Sequence, residues 1–165
     1  MRAMKFFALT ISIFTIAGVC FLCGAGVDAA RAETAACKIS FTSPAQNAEV
    51  GSSGAVTGTA DGLGKGHHLW LLAHPKRLAK EWWPQGGDET TVEDQKWDVL
   101  VYYGSKDDIN KLFEVVAVVV DDGVNKELTD WFERSKATND YRPIRFPRIV
   151  KECESPRLVV KKTSH

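Results

Sequence analysis

The chain has 165 residues, and its 21 basic and 21 acidic side chains leave a formal net charge of zero at pH 7. A protein without a strong field of either sign is not expected to bind nucleic acid or an anionic membrane surface. The length and the 44% share of hydrophobic residues are sufficient for one domain with a substantial core.

The N-terminus has the pattern of a secretory signal peptide. Arg2 and Lys5 give a basic head, residues 6–27 form an apolar run, and residues 30–32 provide the small-x-small pattern that signal peptidase recognises. The sequence therefore predicts a signal peptide at residues 1–32, cleaved after Ala32, and a secreted or periplasmic bacterial protein. The apolar run is long enough to cross a bilayer, so an uncleaved anchor is the alternative. After cleavage we expect no stable membrane span.

Cleavage would leave a single domain, residues 33–165, with 18 basic and 20 acidic side chains, since three basic and one acidic residue belong to the leader. The leader also contains two of the four cysteines. Cys37 and Cys153 remain, near the two ends of the mature chain. Two lone cysteines in an oxidising compartment usually pair, so we expect a Cys37–Cys153 disulfide. Acylation of Cys37 is the alternative, but the large aliphatic residue of a lipoprotein signal is missing three places before it.

Most of the mature chain has the pattern of short β-strands separated by glycine and proline turns. The predicted strands cover residues 38–41, 55–60, 68–74, 80–83, 96–103, 111–120 and 158–161. The strands that contain Trp70, Val101 and Val118 are apolar on both faces, which indicates that each is covered on two sides.

A helical period replaces the strand pattern before the last strand. Val124, Leu128, Trp131 and Phe132 fall on one face of a predicted helix over residues 124–137, and charged side chains fall on the other. We expect the inner face of the central sheet to pack on a second sheet and the helix to cover its outer face.

In the order of its sequence segments, the chain resembles bacterial extracytoplasmic modules of uncharacterised function with an immunoglobulin-like or fibronectin-III-like β-sandwich fold. The pieces that carry the likeness include Val56-Thr57-Gly58, His68-Leu69-Trp70, Trp83-Pro84-Gln85, Trp97-Asp98-Val99 and Phe113-Glu114-Val115. The resemblance implies a mainly β, immunoglobulin-like two-sheet sandwich with one amphipathic helix inserted before the last strand. It is almost silent on activity, and the helix is a departure from a plain seven-stranded module.

Patterns for metal binding and catalysis are weak. His68 and His74 would lie about 20 Å apart along an extended strand, and His67 would point to the opposite face from His68. We therefore expect no metal site and no cofactor. The chain has no Gly-x-Ser-x-Gly motif and its remaining cysteines are expected to pair, so we predict that it is not an enzyme. A hydrolase is the weakest alternative.

Aromatic residues give the better indication of function. Trp82 and Trp83 are adjacent, so in a strand one ring points inward and the other outward. An outward ring could stack on a sugar or anchor a protein partner, whereas the alternative is that both rings are core. We predict a contact surface formed by Trp82, Trp83, Gln85 and Tyr103. The expected function is a non-catalytic binding or structural module that contacts a protein partner, and a carbohydrate-binding module that recognises envelope glycan is the alternative.

Overall fold

A computed structural model describes residues 37–153 and 157–165, which form a mainly β structure of two sheets with one α-helix. The predicted signal peptide and its cleavage site lie outside the described residues. In the part of the chain that is described, no helix has the length and hydropathy needed to cross a membrane.

Eight strands and one helix follow each other along the chain. They are β1 (Lys38–Ser43), β2 (Glu49–Val50), β3 (Ser53–Asp61), β4 (His67–Pro75), β5 (Trp83–Pro84), β6 (Lys96–Tyr102), β7 (Leu112–Asp121), α1 (Asp122–Thr138) and β8 (Leu158–Lys162). The small sheet has the order β1-β3-β6, and the large sheet has the order β2-β8-β7-β4-β5. Neighbouring strands are antiparallel except for the short parallel pair β2 and β8.

The two sheets pack face to face around one hydrophobic core, an arrangement consistent with a β-sandwich. The small sheet contributes Val56, Trp97 and Val99, and the large sheet contributes Leu71 and Val115, all of them buried. Alternate residues of each strand face this core because successive side chains in a strand point to opposite faces.

The helix covers the outer face of the large sheet, as the sequence predicted. Trp70 and Val118 are paired across β4 and β7, and both side chains are buried beneath α1. The Phe132 ring stacks on Trp70 with 5.9 Å between ring centroids. The Asp121 side chain caps the helix by accepting a hydrogen bond from the Val124 N–H, and Asn139 ends it in the left-handed conformation.

Two strand predictions were wrong. Residues 76–78 form a 3₁₀ turn, and the predicted strand over residues 80–83 is reduced to Trp83–Pro84. In β6, buried side chains alternate with exposed ones, so the prediction that the Val101 strand is covered on both faces was also wrong. Leu100 and Tyr102 make this strand look fully apolar, but they lie on the outer face of the small sheet, which the helix does not reach.

Cys37 and Cys153 form the predicted disulfide. Their Cα atoms are 4.8 Å apart although 116 positions separate them in the sequence. The bond ties the start of β1 to the 3₁₀ turn Lys151–Cys153 and thereby joins two remote parts of the chain.

Candidate functional site

The structure places three of the four predicted contact residues in the interior. Trp82 is 2% exposed, Gln85 is buried, and Tyr103 is fully buried. The prediction that Trp82, Gln85 and Tyr103 present their side chains to a partner is therefore corrected. Only Trp83 is half-buried, so its ring alone among the four has a substantial exposed part.

Each buried member of this set has a structural reason for its position. The Trp82 ring stacks on His74 with 3.8 Å between centroids, and the Arg157 guanidinium lies 5.4 Å from the Trp82 ring. Tyr103 packs edge-on against Phe113, and burial raises the pKa of the Tyr103 phenol to about 12. These rings stabilise the core instead of offering a surface.

Gln85 connects the two sheets through its amide. Its side-chain nitrogen donates to the Trp83 carbonyl at 3.0 Å, and its oxygen accepts the Tyr102 N–H at 2.8 Å. The residue therefore fixes β5 of the large sheet beside the end of β6 in the small sheet.

Trp83 lies in a groove of about 1020 Å³ that we call the Trp83 groove. Its indole N–H donates to the Tyr141 carbonyl at 2.9 Å, which fixes the ring. Apolar and aromatic side chains of β5, β6, α1 and the segment after α1 form part of the wall. They include Trp83, Pro84, Leu100, Tyr102, Phe132 and Tyr141. Tyr102 is 61% exposed and Tyr141 47%, so two rings close to Trp83 are open to solvent.

Charged side chains of both signs stand at the Trp83 groove. Arg77 pairs with Asp108 at 3.5 Å, and Glu133 and Lys136 of α1 are exposed. An apolar floor with a mixed-charge rim is the usual composition of a protein-binding surface.

A second cluster, not foreseen from the sequence, surrounds His68. The ring Nε2 donates to Asp122 Oδ1 at 2.8 Å, and Nδ1 lies 2.8 Å from Glu89 Oε1 without the geometry of a directional hydrogen bond. Asn125 extends the network, because its amide donates to Glu89 and accepts the Trp70 indole N–H at 2.7 Å. The cluster joins β4, the segment before β6, and the start of α1.

The hydrogen bond from His68 to Asp122, supported by the Glu89 carboxylate, raises the pKa of His68 above 6.5 although burial opposes the shift. A raised pKa means that the folded state holds the proton more tightly than the unfolded state. The stabilisation is therefore complete below pH 6.5 and is lost as the pH rises through the higher folded value.

We expect His68→Gln to reduce the free energy of unfolding more at about pH 5.5 than at about pH 8.5. Urea denaturation at the two pH values measures the difference. His67→Gln is the matched control, because His67 makes no ion pair among the described residues. Equal losses at both pH values for His68→Gln would contradict the charged-histidine interpretation.

Within the described residues, the other ionisable side chains form no cluster that is suited to a metal ion. The described residues contain no group of three or more histidine, cysteine or acidic side chains that could hold a metal ion. His74 is buried, with Nδ1 donating to the Leu78 carbonyl at 3.0 Å and Nε2 3.9 Å from Glu114. Lys162 is fully buried, and its ammonium group donates to the Gly104 and Ser105 carbonyls. These hydrogen bonds connect β8 to the turn after β6.

No protein-family model matches the chain, and no curated protein matches it. The functional interpretation consequently depends on the geometry of the molecule.

Proposed function

We propose that this protein is an exported, non-catalytic module with an immunoglobulin-like β-sandwich fold, which binds a protein partner through the Trp83 groove. The exported location is supported by the leader pattern at residues 1–32 and by the Cys37–Cys153 disulfide, since such bonds persist in oxidising compartments. The fold proposal is supported by the two sheets packed around a shared core.

The observation that carries the binding proposal is the set of exposed rings in one groove. Trp83 is held by Tyr141, and Tyr102 and Tyr141 leave about half of their surface or more in solvent. Aromatic side chains in a concave apolar surface are the usual anchors of protein interfaces. Leu100, 47% exposed beside them, enlarges the apolar part of the same surface.

A protein partner fits this groove better than a glycan. A sugar that stacks on a ring also needs free hydrogen-bonding groups at its edge. Here the Trp83 indole N–H is bonded to Tyr141, and the Gln85 amide bonds Trp83 and Tyr102 through its two ends. Arg77 and Asp108 pair with each other. Glu133 and Lys136 of α1 are exposed at the same groove, but the polar groups beside the Trp83 ring are already bonded, and this favours a protein partner over a sugar stacked on that ring.

The surroundings of His68 make this residue unsuited as a general base, which is in keeping with a non-catalytic module. A general base needs a free nitrogen within reach of the proton that it removes. Both ring nitrogens of His68 lie 2.8 Å from carboxylate oxygens of Asp122 and Glu89. The cluster is suited to holding three segments of the fold together.

We expect Trp83→Ala to weaken partner binding by about 30-fold, which corresponds to the roughly 2 kcal/mol of a tryptophan hot spot. The protein, expressed with its own leader, is used to capture partners from envelope extract, and the affinity of the captured partner is then measured by titration. Leu112→Ala is the control, because Leu112 is 45% exposed but lies outside the groove.

A glycan array run with the same protein separates the two kinds of ligand. Glycan binding that Trp83→Ala removes would contradict a protein partner and favour the carbohydrate-binding alternative. If Trp83→Ala bound the partner with unchanged affinity, the proposal that the partner binds in the Trp83 groove would be contradicted. The free energy of unfolding of Trp83→Ala should fall less than that of Trp82→Ala, since Trp82 is almost fully buried.

A further inference from the structure

The outer edge of β6 carries unpaired backbone groups. Two hydrogen bonds show which residues of β6 direct their backbone groups toward β3. The Tyr103 N–H donates to the Ser52 carbonyl, and the Ala60 N–H donates to the Gln95 carbonyl. Residues in antiparallel strands direct their backbone groups alternately toward and away from the neighbouring strand. The N–H and C=O groups of Asp98 therefore point away from β3, as do those of Leu100.

Both ends of this edge are closed by other parts of the chain. At one end the Tyr102 N–H donates to the Gln85 side chain at 2.8 Å. At the other end Glu93 and Lys96 exchange two backbone hydrogen bonds of 2.8 and 2.9 Å. Between them, the outward backbone groups of Asp98 and Leu100 have no hydrogen-bond partner among the described residues. An unpaired strand edge is a template for the addition of another strand.

A groove of about 810 Å³ runs beside this edge, and we call it the β6 groove. Its walls are the outer face of the small sheet and the segment of residues 86–94. Five carboxylates line it, those of Asp88, Glu89, Glu93, Asp94 and Asp98, whereas Lys96 is the one basic side chain in the lining. Glu89 is paired with His68, but the other four carboxylates make no ion pair with any described residue. The groove is therefore negatively charged.

Two residues that line the β6 groove have a buried polar group without a partner among the described residues. The Thr90 hydroxyl belongs to a residue that is 6% exposed, and the Trp97 indole N–H to one that is 3% exposed. Both residues line the groove, and neither polar atom has a hydrogen-bond partner in the described part of the chain. Unsatisfied buried polar groups are costly, and a ligand in the groove that bonds the Thr90 hydroxyl would remove that cost, whereas the Trp97 ring itself packs in the core between the sheets.

The distribution of charge decides which ligand the groove suits. The acidic residues are spread along the groove, and no three of the described ones come together as metal ligands. A metal ion could contact only a few of these carboxylates, whereas an extended polypeptide with basic side chains at intervals could pair with several. Charge complementarity thus favours a cationic polypeptide over a metal ion.

We propose that the open part of β6 binds an extended lysine- or arginine-rich segment of a partner protein by strand addition. The backbone of the segment pairs with Asp98 and Leu100, and its basic side chains face the carboxylates of the β6 groove. The inference rests on the proposed function in that the partner is a protein, but it does not require the Trp83 groove.

The test uses a capped hexapeptide of alternating lysine and valine, added to the ¹⁵N-labelled protein. We expect the backbone amides of Asp98 and Leu100 to exchange rapidly with solvent in the free protein and to become protected by about tenfold or more when the peptide binds. The Val99 and Val101 amides serve as internal controls, since they pair with β3 and should be protected throughout. The Trp97 indole resonance should shift as well.

Charge reversal provides the matched variants. Asp98→Lys and, separately, Glu93→Lys should each weaken peptide binding by about tenfold. Glu127→Lys, at an exposed position of α1 outside the groove, should leave it unchanged. Equal affinity for a glutamate–valine peptide, or no protection of Asp98 and Leu100, would overturn the inference.

Two further measurements separate this inference from the proposed function. Loss of peptide binding in Trp83→Ala would place the peptide in the Trp83 groove, which overturns strand addition and leaves the proposed function standing. Sedimentation that shows a dimer sensitive to Asp98→Lys would identify a second copy as the occupant and overturn the partner segment. If Trp83→Ala still binds the peptide and the Asp98 and Leu100 amides become protected, strand addition at β6 is supported. This holds whether or not a partner binds in the Trp83 groove.

Discussion

Trp70→Ala is expected to lower the free energy of unfolding by about 3–5 kcal/mol. Trp70 has no exposed surface and stacks on Phe132 of the helix. Its indole N–H donates to Asn125 at 2.7 Å, so truncation also leaves a hydrogen-bond acceptor of α1 without this donor. The variant removes the side chain that connects the large sheet to α1 by both packing and hydrogen bonding.

Urea denaturation followed by circular dichroism measures this loss. Tyr102→Ala is the matched control, because this aromatic residue is exposed on the small sheet and its removal should change stability by no more than about 0.5 kcal/mol. A loss below about 1 kcal/mol for Trp70→Ala would contradict tight packing of the helix on the sheet.

The Cys37→Ser and Cys153→Ser double variant is expected to lose about 4–5 kcal/mol of stability. The bond closes a loop that spans 116 positions, and a long loop loses much conformational freedom in the unfolded state when its ends are joined. The effect therefore acts mainly on the unfolded chain, while the strands themselves remain intact.

Denaturation of the oxidised protein, the reduced protein and the double variant separates the bond from the substitutions. The reduced protein and the double variant should lose similar amounts of stability. Mass spectrometry of the exported protein without reductant should show one bond between the peptides of Cys37 and Cys153. Two free thiols would contradict both the disulfide and the support that it gives to an exported location.

The sequence predicts the central elements because their signals are local. The continuous apolar residues of β4 and β7 indicated strands covered on two sides, and burial of both faces confirms this. The spacing of Val124, Leu128 and Trp131 predicted the buried face of α1. In each case the pattern within one segment determines which residues are buried.

The sequence does not predict which apolar strand faces remain exposed to solvent. Leu100 and Tyr102 have the composition of a covered strand, but the helix packs on the other sheet. Trp82 is buried because His74 and Phe146 pack against its ring, and these residues lie on other segments. Adjacent tryptophans do not show by themselves which ring faces the core.

Contacts between remote residues left no signal in the sequence. His68, Glu89 and Asp122 lie on three segments, and no spacing rule connects them. Lys162 is part of an ordinary polar strand end in the sequence, yet its side chain is fully buried against backbone carbonyls. Only the tertiary fold brings such groups together.

The position of α1 has a consequence for how copies or partners can stack on this protein. One sheet is already shielded by the helix on its outer side, so stacking through that side would first require the helix to leave. In the described residues the opposite side is a hydroxyl-rich surface that includes Thr42, Thr57 and Thr59. Layered growth through the helix-covered side is thus blocked, and the two outer faces of the sandwich differ in what they present to a partner.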